Sequence, residues 1–567
     1  MFPLVLVYVI VVHGLFSNSN VILTGMFNGL AVPLHDLFNA SVQNRFDVAL
    51  DAKGMSLVTS ILPTFEVLGN LVSVLLVVPR MDSLGRRIVA IHLRLIFVVS
   101  SSVVFIVAHY TVSIEVYGIA QFVLGFIEPM KMIVLKLYLA ECVPRQYRAF
   151  IAIAVGSFVI FANLFSSFLF LPSILGNSDS WQFIPLICIL MELLYFAAAV
   201  KLPESPKWLM ATRKCDERVT DSILFYHGKS ASVDVVKQEI QDEIELTSKN
   251  RLSLVEILRD RTFRSVFSLV FVASLISTLS VAKIGQFYVM TLLLKFGYVV
   301  ESVLFMMSAT QIVFLPLIFV TPFLFERVGR RPMFLFSSCA SVLNIVAYTV
   351  AEALFDSNGP NTASMALGVV AVFLSSLAVM SGLTITYVVL IADLLPPSAK
   401  VVVSQFVLSI NLLISIPAVF LFPNAVASLG AYGFVPFLVI QVRPCVITRS
   451  HIDSDLFTRL SLLDVAGNEA ESRCVQRAQR NDGLAGECES ELPKASFHLR
   501  CYVFNQRGGK TTTFEQKKEL RVNDIQLVIH YRVQDKYSKT GLSIFLQSRF
   551  REMLSSIKTP WSAVHFT

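Results

Sequence analysis

Charge is scarce in this chain. Only 15% of its 567 residues are Asp, Glu, Lys or Arg, while 55% are hydrophobic and the mean hydropathy is +0.67. One soluble core cannot bury that much apolar surface, which excludes an ordinary water-soluble domain. Cysteine is equally sparse: the 8 Cys form no CxxC pair and show no metal-ligand spacing, so neither a zinc site nor a disulfide framework is indicated. No Asp or Glu occurs from Met1 to Val32. Nowhere do a nucleophile and a base recur in a catalytic arrangement, so the sequence is not read as an enzyme and implies no cofactor. The formal charge of +7 would suggest nucleic acid in a soluble protein. In a chain this apolar it points instead to basic loops on one side of a lipid bilayer, and no nucleic-acid partner is expected.

What the chain does have is long apolar runs. A membrane helix needs roughly 20 such residues, and that template places helices near 4–32, 56–79, 90–108, 117–139, 149–171 and 182–201, then near 266–290, 302–324, 333–354, 364–389 and 398–421. A twelfth begins near Tyr432 and reaches only about Val442. Leu4 to Val12 has the length of a signal-peptide core but lacks a preceding base and a following cleavage site, so it is read as the start of the first membrane helix. Arg80, Arg86, Arg87, Arg94, Arg145, Arg148, Arg327, Arg330, Arg331 and Lys400 are all assigned to one side, which predicts a cytoplasmic N-terminus. The sequon Asn39-Ala40-Ser41 then falls in the first outside loop as a candidate glycosylation site. Residues 203–264 read as a polar cytoplasmic linker, with an amphipathic acid-rich helix over Val235–Leu246. It separates a bundle over 1–202 from a second over 265–442.

The halves repeat one another. Asp82-Ser83-Leu84-Gly85-Arg86-Arg87 returns as Glu326-Arg327-Val328-Gly329-Arg330-Arg331, and the stretch from Glu141 to Arg148 is echoed from Asp393 to Lys400. Two motifs recurring in the same order mark an internal duplication. Gly85 and Gly329 fit tight turns that need positive φ.

With Pro203-Glu204-Ser205-Pro206 after the sixth run, these motifs resemble the major facilitator superfamily, and within it sugar porters close to animal facilitative glucose transporters. The resemblance covers roughly Gly14 to Ile440. It implies an all-α polytopic membrane protein of two six-helix bundles around a central cavity, opened alternately to each side. It also implies that Asp82, Gly85, Arg86, Arg87, Glu141, Arg148 and Glu204 form an inner gate, with Glu326, Gly329, Arg330, Arg331, Asp393 and Lys400 as its counterpart. If such pairs are exposed, each contributes under about 1 kcal/mol, enough together to hold a state without locking it. The expected protein moves a small polar solute through a bilayer, sugar-like by family and by facilitation, most simply at the plasma membrane.

The cavity departs from that family. Where glucose transporters hold sugar hydroxyls with amides and an aromatic, the matching positions here are Gly156, Ser277, Thr278, Lys283, Phe314, Met380, Val388, Asn411 and Ser415. Ser277, Thr278, Lys283, Asn411 and Ser415 remain as candidate solute-binding groups. Lys283 suggests an anionic or zwitterionic ligand, because a lone ammonium in an apolar helix needs water or an acid. Glu128 and Lys131, at i,i+3, can pair, while Lys136 fits a side chain snorkelling to the interface. The acid that proton-driven relatives carry in the first helix is replaced by Leu23, which favours facilitative transport; Glu66, Glu128 and Glu192 are the remaining membrane acids that could titrate. The competing expectation is a receptor or scaffold that kept the fold after its cavity degenerated.

Beyond about Gln441 the resemblance stops. Residues 443–567 are polar, carry Cys445, Cys474, Cys488 and Cys501, and show one strand-like run, Asp524–Val533. A fused domain, a disordered tail and sequence outside the natural reading frame all remain open, the last favoured by the abrupt interruption of a helix. Gly508-Gly509-Lys510-Thr511 is not a phosphate loop, because Phe504 stands where that motif needs its first Gly.

Overall fold

The computed structural model describes residues 4–212, 216–228, 232–248, 254–259, 261–384, 386–395, 397–442, 513–522 and 525–534. Within those ranges the side chains of Glu326, Arg330, Arg331, Asp393 and Lys400, among others, lie outside the description. The chain divides into two compact units, Met1–Val465 and Ala466–Thr567.

The first unit is helical. Among the described residues, nine helices are long and apolar enough to cross a membrane, or ten if one bent pair counts as a single span. The first six elements are Leu4–Gly29, Ala52–Leu84, Ile88–Thr111, Ile114–Cys142, Arg145–Leu169 and the shorter Phe183–Ala199. A seventh helix, Val266–Thr278, bends by 49° into Val281–Phe287. Val300–Thr321, Pro332–Asn358, Thr362–Met380 and Val402–Val442 follow. The linker helix runs over Val233–Ser248, slightly longer than its apolar pattern suggested.

Three boundaries differ from expectation. The eleventh helix continues to Leu429 rather than ending near 421, and Gly430–Phe434 then turns the chain into a helical stretch over 435–442. Asp356 stabilises that turn by accepting the Ala431 N–H at 3.3 Å, an interaction between distant segments that hydropathy does not register. The tenth helix stops at Met380 and restarts at Thr386, with Gly382 at φ +105° in the break. The segment expected as the first outside loop is not irregular: it carries a helix over Ala31–Phe46. Asn39 lies inside that helix, its Oδ1 accepting the Leu50 N–H at 2.9 Å, and Ser41 is buried with its Oγ accepting the Ile114 N–H at 3.1 Å.

The first helix is interrupted by its own polar residues. A widened turn over Val12–Phe16 precedes a restart at Ser19, and Ser17 and Asn18 donate back to the carbonyls of His13 and Gly14. Side chains thus satisfy backbone groups that the broken ladder leaves open. The second and fourth helices cross with their backbones almost touching. A Cβ on Gly69 would lie 2.1 Å from the Phe122 carbonyl oxygen, and one on Gly125 would lie 2.2 Å from that of Glu66. Such crossings need small residues, and this one carries Glu66 against the fourth helix.

At the end opposite the arginine loops the halves are joined. Asn28 Oδ1 accepts the Met290 N–H at 2.9 Å, Ser56 Oγ donates to Asn424 Oδ1 at 3.4 Å, and Phe27 meets Phe287 edge-on at 6.5 Å. The protein is therefore closed on that side. In the second unit the described residues form one antiparallel hairpin, Thr513–Val522 with Ile525–Gln534; of the strand-like run, 525–533 falls on its second strand and Asp524 lies outside the described residues.

Candidate functional site

The repeated motif of the first half folds into a compact charge cluster at the helix ends that carry the arginine loops. Gly85 takes φ +109°, a conformation suited to glycine, and the turn it makes aims the next two residues at separate partners. Arg86 reaches Glu141 at 3.2 Å and Asp82 at 3.1 Å, and also donates to the Met81 carbonyl at 3.2 Å. The same Glu141 oxygen, Oε2, also accepts from Ser205 Oγ at 2.5 Å. The Arg87 guanidinium donates to the Val200 carbonyl at 2.6 Å, while its backbone N–H meets the Glu204 carboxylate at 3.0 and 3.1 Å. Trp208 Nε1 completes the set by donating to the Asp82 carbonyl at 2.9 Å.

Two expectations are corrected here. The Arg86–Glu141 pair is not exposed: its side chains keep only 13% and 7% of their accessible area, because the Pro203–Trp208 segment lies over them. Arg148 pairs with neither Glu141 nor Glu204. It meets Glu243 of the linker helix at 3.3 Å, together with Arg145 at 2.7 Å and Lys207 at 3.3 Å. The linker is thereby pinned to the first bundle by three cations on one carboxylate. Burial pushes the Glu243 carboxyl up, but the Arg145 hydrogen bond and the charges of Arg148 and Lys207 more than offset it, leaving it below the usual carboxylate range. Glu204 shifts the other way: burial raises it, and the N–H groups of Ser205 and Arg87 with the Arg86 and Arg87 charges offset that only in part. In the second half Gly329 has the same kind of turn at φ +96°. The side chains of Glu326, Arg330, Arg331, Asp393 and Lys400 lie outside the described residues, so their counterpart gate remains an expectation.

The candidate solute-binding positions lie on the seventh and eleventh helices. Asn411 is buried and its Oδ1 accepts from Ser274 Oγ at 3.2 Å. Ser274 had no counterpart in the sequence argument; its hydroxyl looked like one of many in an apolar helix. Ser277 is buried, with its carbonyl accepting from Ser280 Oγ at 2.9 Å. Ser415 donates to its own helix at Asn411 O, 2.8 Å away, and Thr278 is the half-buried last residue before the bend. Ser280 caps the restarted turn by accepting the Lys283 N–H at 3.1 Å, and the Lys283 side chain is exposed.

The larger polar assembly lies elsewhere, around the broken first helix. Arg94 and Glu192 form a fully buried ion pair at 3.0 Å, with Arg94 also donating to the Ser17 carbonyl at 2.8 Å. This corrects the assignment of Arg94 to a loop: it sits within the third helix. Glu192 accepts from Ser19 Oγ at 2.6 Å. Glu128 and Lys131 do not bond directly as their spacing suggested. Asn20 stands between them, its Oδ1 accepting from Lys131 at 3.1 Å and its Nδ2 donating to Glu128 at 2.7 Å. Lys131 also donates to Asn18 and is buried, whereas Lys136 is exposed. Glu66 is buried too, with Thr24 Oγ1 donating to its Oε1 at 2.9 Å. The polar run at Ser17–Asn20 was the sequence signal for this network.

Comparison with known proteins agrees with the architecture. The family described as sugar (and other) transporter matches residues 7–449. Human solute carrier family 2, facilitated glucose transporter member 5, is 23% identical over 434 residues, covering 75% of this chain and 83% of that protein. The sheep facilitated glucose transporter member 3 is 23% identical over 425 residues, covering 74% and 84%. Among solved structures, a partially occluded inward-open xylose transporter XylE from E. coli superposes with TM-score 0.62 at 16% identity, covering 80% of this chain and 98% of that one.

Proposed function

Since the chain belongs to the sugar (and other) transporter family, we propose that it carries a hexose-sized polar solute across a lipid bilayer by alternating access and without ion coupling. The observation that carries this reading is a set of contacts at each end of the bundles. A buried Arg86–Glu141 contact, roofed by the Pro203–Trp208 segment, lies at one end of the bundles, while Asn28–Met290 and Ser56–Asn424 contacts join the halves at the other. Contacts that join the halves at one end, with a charge cluster of the first half at the other, support alternating access, and a static scaffold has no use for such a cluster. Leu23 in the acid-free first helix supports facilitation. The basic loops support a cytoplasmic N-terminus, and the plasma membrane is the simplest location for such a carrier.

The test is D-glucose counterflow into proteoliposomes holding the full chain. Uptake should saturate, ignore an imposed pH gradient, and fall about tenfold in Arg86→Ala, which leaves the buried Glu141 without its cation. Uptake that tracks the pH gradient refutes facilitation. An Arg86→Ala variant as active as the parent refutes the gate.

A further inference from the structure

From a groove between the second and fourth helices, we infer that the protein binds a sterol with a free hydroxyl in the leaflet opposite the arginine loops, whatever solute it carries. The two helices touch where Gly69 meets Gly125, and on the side of that crossing away from the arginine loops a cavity of about 600 Å³ opens between them. Its walls are the second helix from Val58 to Leu68 and the fourth from Ile114 to Phe122. Ile61, Phe65, Leu68 and Ile119 are all exposed there. A contiguous apolar surface of this kind marks a binding groove, and on a membrane helix its occupant comes from the bilayer.

Length, charge and rigidity select a sterol among membrane lipids. Val58 to Leu68 covers ten helical steps of 1.5 Å, so the groove is about 15 Å long. That is half of a hydrocarbon core of roughly 30 Å, the depth of one leaflet and the reach of a sterol. Among the described residues that line the groove, Glu115 alone has a polar side chain. Its Oε1 is held by Arg45 and its Oε2 accepts from Ser113 Oγ at 2.8 Å, while Arg45 also donates to Ser113 at 3.3 Å. Each carboxylate oxygen keeps a lone pair for a hydroxyl donor, whereas the phosphate of a phospholipid would meet a like charge. Phe65 and Phe122 present flat aromatic surface, and Gly118 leaves the floor open: a Cβ there would stand 3.4 Å from Leu62 and 3.5 Å from Phe65. A fused ring system fills such a space with little freedom to lose, while an acyl chain must freeze each of its rotors.

The experiment uses proteoliposomes of the full chain with a diazirine-bearing cholesterol analogue, photolysed and mapped by mass spectrometry. Label should fall on 58–68 and 114–122. Excess cholesterol should suppress it, and cholesterol methyl ether, which lacks the donor, should not. Ile61→Trp fills the groove and should abolish the label. Glu115→Leu should lower it about fivefold, the worth of one hydrogen bond. A diazirine-bearing phosphatidylcholine should instead mark the lipid-facing helices of both bundles without preference. Sterol label spread in that same way, or phosphatidylcholine label concentrated in the groove, overturns the inference and means that bulk lipid covers this surface. Groove label that survives Ile61→Trp overturns the seat, and suppression by the methyl ether overturns the role of Glu115. If Ile61→Trp loses its monodisperse peak, the map and the two competitors still decide.

Discussion

The two halves share a glycine–arginine turn motif and differ in what they bury. The first half encloses Glu66, Arg94, Lys131 and Glu192 within its membrane helices. Among the described residues, the second half buries one Asp, Glu, Lys or Arg side chain, Glu352, bonded to Lys295 near the rim. Yet the positions matched to sugar contacts in the family this chain resembles lie largely in the second half, where Phe314, Met380 and Val388 are apolar and Ser277, Thr278, Lys283, Asn411 and Ser415 are polar. The buried charges thus concentrate in the first bundle, while Gly85 and Gly329 take the same kind of turn in both.

The most severe way to break this contrast is to unbalance the buried pair. Arg94→Ala should cost about 3–5 kcal/mol, because it leaves Glu192 charged and uncompensated in a dry interior. The joint replacement Arg94→Met with Glu192→Leu should recover most of that loss, since a buried pair adds little beyond what well-packed apolar side chains supply. Thermal unfolding of the purified chain reads both. A single variant as stable as the parent would mean that the first bundle admits water to Glu192, and the contrast between the halves would lose its basis.

A milder variant compares the gates directly. At Gly85 an added Cβ would be 2.5 Å from the Glu204 carboxylate, whereas at Gly329 the nearest atom is the Pro332 Cδ at 3.8 Å. Both positions hold positive φ, so alanine brings about 1–3 kcal/mol of strain at either. Only Gly85→Ala also displaces the carboxylate that holds the Arg87 N–H. It should slow glucose counterflow severalfold more than Gly329→Ala does. Equal effects would show that backbone strain alone governs the gate and that Glu204 takes no part.

Much of this was readable beforehand, for reasons that differ by region. The gate turns were legible because glycine followed by two arginines is a local signal that repeats. The membrane runs were legible because length and hydropathy are local too. Arg94 was misassigned because charge alone suggests a loop, and only the third dimension supplies Glu192 from a helix far along the chain. Arg148 was misassigned because its partner Glu243 lies in a linker helix whose docking no motif announces. Lys131 looked like a partner of Glu128 by spacing, but the polar break in the first helix places Asn20 between them. In each case the missing information was which distant element packs against a charge.

The smallest expected effect concerns that linker, and it turns on pH. Glu243 sits below the usual carboxylate range in the folded chain, so its contribution is present above the unfolded value of about 4.3 and is lost as pH falls through the depressed folded value. Glu204 behaves oppositely: raised in the fold, it takes up a proton before an unfolded carboxyl would, and that uptake favours the folded state as pH falls. Mild acidification should therefore loosen the Glu204 hold on Arg87 while the linker stays docked, and the linker should release only at lower pH. Glu243→Gln removes the second step. Since Arg145 is 55% exposed and Glu243 23%, solvent screening keeps this pair under about 1 kcal/mol. Hydrogen exchange over 233–248 as a function of pH is sensitive enough to see it. Faster exchange already at mildly acidic pH, or a Glu243→Gln profile identical to the parent's, would mean that the linker is held to the first bundle by its apolar face and not by its charges.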